Sequence, residues 1–424
     1  LSDTVTIAGR APWLADKHLQ SLLNALSGDG EEARIVGGAI RNALLGQKVS
    51  DIDVATTTLP EETMRRAAGR GFKVVPTGIE HGTVTVVAGG RPYEVTTLRA
   101  DVETDGRRAK VAFGRDWKVD AERRDFTINA LYARADGTVV DHVGGLRDIE
   151  TRTLRFIGDA ETRIREDFLR ILRFFRFFAW YGSGRPEAQG LKACTRLKDG
   201  LTGLSKERIW DELKKLLSAP DPSRALLWMR QTGVLTLILP ESEKWGIDAI
   251  HGLTRAEQEL GWEPDVLLRL ESLIPPDAER MEALGERLRM SNAERARLEA
   301  WARAEAAKPN LSDLGLARRI YRGSKQAIID RLRLALAAVR VEAAGGNAAA
   351  MMEAGRYARL LEKAEAYEAP RFPLSGGDLI AAGMKKGPQV GRAQRALEDI
   401  WIESGFSLDR EALLARLPEI SGEG

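Results

Sequence analysis

The chain has almost none of the residues that build disulfide scaffolds or soft-metal centres. A single cysteine, Cys194, among 424 residues excludes an intramolecular disulfide and any four-cysteine zinc or iron–sulfur site. Only four histidines are present, and His251 is the only one after His142, so neither a histidine-rich metal centre nor an appended His-Asp phosphohydrolase domain fits. A metal here must sit on carboxylates, which favours magnesium-like chemistry. No apolar run approaches the ~18 residues of a membrane-spanning helix, and the N-terminus lacks the layout of a secretory signal. With so little cysteine, the expected compartment is the cytoplasm, with no membrane contact. Charge of one sign is also lacking: 64 basic against 62 acidic residues leave +2, a balance that conceals any local stripe.

What is present suffices for folded modules. A hydrophobic fraction of 43% with 30% charge supports ordinary cores, and the length predicts two to four domains at roughly 100–200 residues each. The stretch 1 to about 30 reads as a helix ended by Gly28. Short alternating or β-branched runs follow at Arg34–Val36, Asp51–Thr56, Lys73–Val75, Thr83–Ala88, Tyr93–Thr97 and Thr138–His142, which predict a mixed sheet. The charged segment between Arg99 and Glu122, centred on Asp105-Gly106-Arg107-Arg108, reads as a mobile loop. From Ala160 onward apolar residues recur at three and four, so the rest is expected to be helical, punctuated at Gly182–Pro186, Ala219–Pro222, Pro275-Pro276, Pro309 and Phe372–Gly377. The fold class is therefore α+β: an α/β head followed by a long helical arm.

Four local patterns carry chemistry. Val36-Gly37-Gly38-Ala39-Ile40-Arg41 leads a strand through paired glycines into a helix, so backbone N–H groups can approach an anion and Arg41 can reach a phosphate oxygen; taken alone it is equally a tight turn. Asp51-Ile52-Asp53 places two carboxylates on one strand face. They repel unless a cation neutralises them, and a pair of divalent ions ~4 Å apart can activate a hydroxyl and stabilise a leaving pyrophosphate. Glu94, between apolar Tyr93 and Val95, is either a third carboxylate of that cluster or a plain outward-facing residue. Arg124-Asp125 offers a donor fork beside an acceptor, which suits a ribose hydroxyl or an ordinary ion pair.

The strongest helical pattern is Arg165 to Arg176. Asp167, Arg170 and Arg173 follow i, i+3 spacing and share a face, opposite Phe168, Leu172 and Phe175. A rigid Asp/Arg pair can read a base edge that shows an amine beside a ring-nitrogen acceptor, as cytosine and adenine do; an amphipathic helix laced with ion pairs has the same spacing. Five arginines against two acids between Arg163 and Arg176 leave a local positive surplus suited to triphosphate or RNA. Trp180-Tyr181 and Trp228 read as packing residues, and Cys194 as a small buried or half-buried one.

Taken in order, these motifs resemble the class II tRNA nucleotidyltransferase and poly(A) polymerase family. The resemblance also takes in Pro76-Thr77-Gly78 with His81-Gly82-Thr83-Val84, Glu94-Val95-Thr96-Thr97, Arg123 to Ala130, Asp141 with Gly144-Gly145 and Asp148, and Leu204 to Glu212. It is specific across about 34 to 240 and returns faintly at Phe372 to Leu379. Asn42 departs from the aspartate usual after the arginine. The family implies a polymerase-β-like nucleotidyltransferase head (1–150), then helical neck (151–240), body (241–308) and tail (309–424). It implies Asp51 and Asp53 as Mg2+ ligands with Glu94 a possible third acid. Gly38 and Arg41 would bind triphosphate, Arg124 and Asp125 the ribose, Asp167 and Arg170 the base, and Arg173 and Arg176 the phosphates. The expected activity is template-independent addition of C and A from CTP and ATP to the 3′ end of tRNA. Poly(A) synthesis, partial CC or A addition, a catalytically inactive RNA-binding protein and transfer to a small acceptor are the alternatives. No feature points to a protein partner.

Overall fold

A computed structural model describes residues 4–105, 108–243, 246–306 and 308–421, with the side chains of 101–111 excepted. The chain forms two compact units, 1–244 and 245–424.

The first unit holds all nine strands found among the described residues: β1 (Ala33–Val36), β2 (Asp53–Thr56), β3 (Lys73–Gly78), β4 (Thr83–Ala88), β5 (Arg91–Thr97), β6 (Arg99–Asp105), β7 (Arg108–Phe113), β8 (Leu131–Ala133) and β9 (Val139–Asp141). Seven make one sheet in the order β3-β4-β5-β2-β1-β8-β9. Every pairing is antiparallel except β2 with β5. Strand β1 lies near the middle and is buried along its whole length, including Arg34, whose guanidinium is paired with Glu32. The alternation of β4 appears as alternating burial.

The helices of this unit are α1 (Lys17–Leu26), α2 (Gly38–Leu44), α3 (Pro60–Gly69), α4 (Trp117–Glu122), α5 (Gly145–Glu150), α6 (Ala160–Glu166), α7 (Leu169–Tyr181), α8 (Ala188–Leu197), α9 (Lys206–Leu217), α10 (Ser223–Gln231) and α11 (Val234–Ile238). Helix α7 buries Phe174, Phe175, Phe177 and Phe178. Its Phe174 ring stacks on Phe156 at 5.4 Å between centroids, and Phe126 lies 4.8 Å from Phe156. Residues on both sides of position 150 thus share one aromatic core, which fixes α7 against the turn that carries Arg124 and Asp125.

Three sequence expectations differ from the structure here. The first 30 residues are not one helix: a 3₁₀ turn, Pro12–Ala15, precedes α1. Asp16 starts the new helix by accepting from His18 N (2.8 Å) and Leu19 N (3.0 Å). The charged stretch after Arg99 is not a loop but the two-stranded ribbon β6–β7, followed by α4 with Asp116 as its cap; Gly106 and Arg107 lie outside the described residues. The Arg165–Arg176 helix is broken, with α6 ending at Glu166 and α7 beginning at Leu169.

The second unit has only helices among its described elements: α12 (Asp248–Leu260), α13 (Val266–Glu271), α14 (Ala278–Arg287), α15 (Asn292–Arg303), α16 (Asp313–Arg322), α17 (Lys325–Ala344), α18 (Ala348–Ala366), α19 (Gly376–Ala381), α20 (Pro388–Glu403), α21 (Arg410–Ala415) and α22 (Leu417–Ser421). One apolar cluster joins α16, α17 and α18 through Leu316, Leu332 and Leu360, and another gathers α19 to α22 around Trp401. None of the described helices is long and apolar enough to cross a membrane.

A strained feature sits inside this unit. Glu271 is 1% exposed and neither carboxylate oxygen has a hydrogen-bond partner among the described residues. Burial first, then repulsion from Asp330, pushes its pKa well above the usual carboxylate value, against the pull of Arg297. Arg297 already serves Asp330 (2.9 Å) and Asp265 (2.8 Å). A carboxylate whose pKa is raised on folding costs nothing below its unfolded pKa, and the cost grows as pH rises toward the folded value. Glu271→Met is therefore expected to stabilise the protein at pH 7 by about 1–3 kcal/mol, a rise of roughly 2–6 °C in the unfolding temperature. The advantage should shrink to its smallest near about pH 4, as thermal denaturation across pH will record; an unfolding temperature below that of the wild type at neutral pH would contradict this.

Candidate active site

The sheet brings the acidic residues together from different strands. Asp53 opens β2, and its Cα partners are Val36 on β1 and Glu94 on parallel β5. Glu94 is thereby lateral to Asp53 on the same sheet, exposed like it. Asp51, expected on the strand, lies two residues ahead of it in irregular backbone and accepts from Ser50 Oγ at 2.8 Å. The strand-face reason for pairing Asp51 with Asp53 therefore fails, because β2 starts only at Asp53. The two carboxylates still feel each other. Asp53 is open to solvent on one side, yet the protein around it raises its pKa, Glu94 raises it further, and Asp51 adds to this against the opposing charge of Arg124.

That uncompensated like-charge crowding is the condition a divalent cation relieves. Among the described residues no group of three or more acidic, histidine or cysteine side chains converges closely enough to hold an ion. The set fits a metal that takes two carboxylates and fills its other positions with water and phosphate oxygens, as magnesium does.

Next to the acids stands the turn between β1 and α2. Gly37 adopts φ 75°, a conformation that favours glycine, and its N–H donates to Leu131 O at 2.9 Å. Gly38 is the first residue of α2. Arg41, expected to reach outward to a phosphate, is instead buried. It donates to Tyr181 OH (2.8 Å) and through Nε to Asn42 Oδ1 (3.1 Å), and it also bonds Asn129. All of these partners are neutral. Burial lowers the pKa of this guanidinium.

Arg124 and Asp125, adjacent in sequence, face different partners. Arg124 donates to Asp120 at 3.0 Å, and Tyr132 OH donates to the same Oδ2 at 2.6 Å. Burial opposes ionisation of Asp120, but Arg124 and Arg123 outweigh it and hold its pKa at about 2. Asp125 accepts from Arg173 Nε (2.8 Å), Asn129 Nδ2 (3.2 Å) and Phe126 N (2.9 Å). Its pKa is lowered despite burial, chiefly by Arg173. Arg176, one turn of sequence beyond, forms an ion pair with buried Glu212 of α9 at 2.7 Å, and Arg173 reaches the other oxygen of Glu212 at 3.9 Å.

Asp167 and Arg170 are not partnered with each other. Asp167 sits in the break between α6 and α7, accepts from Leu169 N at 3.0 Å as a cap, and is bridged to Arg208 of α9 at 2.7 Å. Arg170 donates to Arg163 O at 2.9 Å and pairs with Glu166. The expected shared helix face does not exist because the aspartate ends one helix and begins the next.

Asp120, Asn129, Tyr181, Arg208 and Glu212 were not singled out by sequence as site residues. Asp120 lies four residues before Arg124, a helical spacing that would have flagged the pair. Glu212 ends the Leu204–Glu212 pattern but carries no local hint of Arg176. The contact of Tyr181 with Arg41 spans 140 positions and has no local signature.

Residues 33–155 match the poly A polymerase head domain and 185–245 a probable RNA- and SrmB-binding site of polymerase A. The chain is 33% identical over 405 residues to the zebrafish (Danio rerio) protein named CCA tRNA nucleotidyltransferase 1, mitochondrial, covering 92% of this chain and 87% of that one. It is 32% identical to the human protein of the same name, over 94% and 89%. A crystal structure of the Bacillus stearothermophilus CCA-adding enzyme in complex with CTP superposes with a TM-score of 0.68 at 26% identity, covering 96% of this chain and 97% of that one. The seven-stranded head, the helical remainder and this whole-length correspondence together establish that the chain belongs to the class II tRNA nucleotidyltransferase and poly(A) polymerase family.

Proposed function

We propose that the protein adds C and A from CTP and ATP to the 3′ end of tRNA without a template. The observation that carries this reading is the match along nearly the whole chain to proteins named for CCA addition to tRNA. In the reaction the terminal 3′ oxygen of the RNA forms a bond to the α-phosphorus, the bond to the pyrophosphate oxygen breaks, and the hydroxyl proton is lost. Asp51 and Asp53 would hold Mg2+, with Glu94 as the third nearby acid; when bound, the ion would activate the attacking hydroxyl and neutralise charge on the leaving pyrophosphate.

The chain's own side chains have the remaining tasks. Arg41, Arg173 and Arg176 present positive charge for the triphosphate, with Gly38 letting the backbone come close. Arg124 and Asp125 flank the ribose. Asp167 and Arg170 would read the amine and ring nitrogen shared by cytosine and adenine, for which each must leave its present partner, Arg208 and Glu166 respectively. Nucleotide arrival thus exchanges protein ion pairs for base hydrogen bonds, which limits the net gain and makes discrimination depend on geometry. We assign 1–150 to chemistry, 151–240 to nucleotide and RNA, and 241–308 and 309–424 to the body and tail that meet the tRNA. The scarcity of cysteine supports a reducing compartment, for which we propose the cytoplasm, although the names of the vertebrate relatives carry a mitochondrial label.

Offered tRNAs lacking CCA, lacking only the final A, or complete, the protein is expected to restore the full end on the first, add one A to the second and leave the third unchanged; continued A addition to the complete tRNA or to unstructured RNA would favour poly(A) synthesis. Asp53→Asn should lower incorporation by about 100-fold or more, since several kcal/mol of charge stabilisation is lost. In EDTA at pH 7 the same variant should unfold at or above the wild-type temperature, because it removes a carboxylate whose raised pKa costs stability above its unfolded value. Adding Mg2+ should raise the unfolding temperature of the wild type and not of the variant; an equal rise in both would refute the ligand assignment.

A further inference from the structure

Helix α7 carries a stripe at i, i+4 spacing made of Arg173, Phe177 and Tyr181, so these three share one face. Around the Phe177 ring stand three guanidinium groups: Arg176 at 4.2 Å from the ring centroid, and Arg173 and Arg41 each at 5.3 Å. Tyr181 lies 5.8 Å from Phe177 at 28° between planes, and Arg41 sits over the Tyr181 ring at 3.9 Å while donating to its hydroxyl. Phe177 is buried, held edge-on by Phe126 of the head at 5.4 Å.

The carboxylates paired with this cluster are Asp125 and Glu212, two against three guanidiniums. One positive charge is left over, and it falls on Arg41, whose hydrogen-bond partners are all neutral. Like charges brought this close in partly buried surroundings repel; an aromatic face attracts each cation through its quadrupole without cancelling its charge, which a carboxylate would. The rings therefore hold Arg41 beside its two ion-paired neighbours while leaving its charge unmet.

We propose that Phe177, with Tyr181 stacked beside it, is a positioning residue that holds Arg41, Arg173 and Arg176 ready for the triphosphate of the incoming nucleotide; this rests on the triphosphate reading above. Both aromatics act through the guanidiniums they face. Their effect is on phosphate binding, so it should appear in KM for CTP and ATP alike, whichever base is carried.

The test uses the full-length protein and inorganic tripolyphosphate as a probe that has no base or ribose. Phe177→Leu is expected to raise KM for both nucleotides and Ki for tripolyphosphate together, by about 5- to 30-fold, the range of a partly desolvated cation–π contact. Phe177→Tyr, which keeps the face, should restore both, and tRNA affinity should be unchanged throughout. Tyr181→Leu, at a half-buried position, should move KM and Ki in the same direction if Phe177→Leu does not fold. The proposal is overturned if KM and Ki stay within about two-fold of wild type in the folded leucine variants, or if kcat alone falls. A wild-type protein that adds no nucleotide to tRNA would defeat the functional reading instead, while tripolyphosphate binding would still report on the rings.

Discussion

The ion pair between Asp125 and Arg173 is the contact on which the site depends. It joins the turn following α4, on the sheet side of the molecule, to helix α7, 48 residues further on. Asp125 spends its other oxygen on Asn129 and on the Phe126 backbone, so the turn is held from both ends. An aspartate this buried must have its charge met, and removing one partner would leave the other stranded at a cost of several kcal/mol. The pair is extended rather than isolated: Arg173 also reaches Glu212, Glu212 binds Arg176, and Asn129 binds Arg41. The segment between α4 and β8, α2, α7 and α9 are thereby tied into one network around the aromatic rings.

Charge is segregated within this arrangement. At one place Asp53, Glu94 and Asp51 crowd with too little positive charge to satisfy them; at another, three guanidiniums share two carboxylates. Each cluster is short of the opposite sign, and a metal-bound nucleotide triphosphate supplies both signs in one ligand. The near-zero total charge of the chain therefore conceals two local imbalances, and both cost the protein stability, as strained charge at functional sites commonly does.

Much of this was legible in sequence, for physical reasons that can be named. Alternation with apolar neighbours placed Glu94 on a strand, and the β-branched run after Asp53 placed β2, so the acidic cluster could be anticipated, although the strand begins too late to include Asp51. The helical period after Ala160 needed no tertiary information. The ribbon β6–β7 was missed although both strands alternate, as in Arg99-Ala100-Asp101-Val102-Glu103 and Arg108-Ala109-Lys110-Val111; the density of charge and the small size of the uncharged partners made the stretch read as a solvated loop. The break at Asp167 was missed because the apolar spacing runs straight through it; only the side chain's competition for the Leu169 N–H interrupts the helix. The inward turn of Arg41 was illegible altogether, since Tyr181 and Asn129 come to it only when the sheet and α7 pack together.

That packing gives the most direct test. CTP affinity, measured at equilibrium without RNA for the wild type, Asp125→Asn, Arg173→Gln and the double variant, forms a cycle that isolates the coupling between the two side chains. If Asp125 and Arg173 present the ribose and triphosphate sites as one unit, each single change should weaken CTP by about 10-fold or more and the double change little further. Additive losses, or CTP binding indifferent to Arg173, would contradict a shared network.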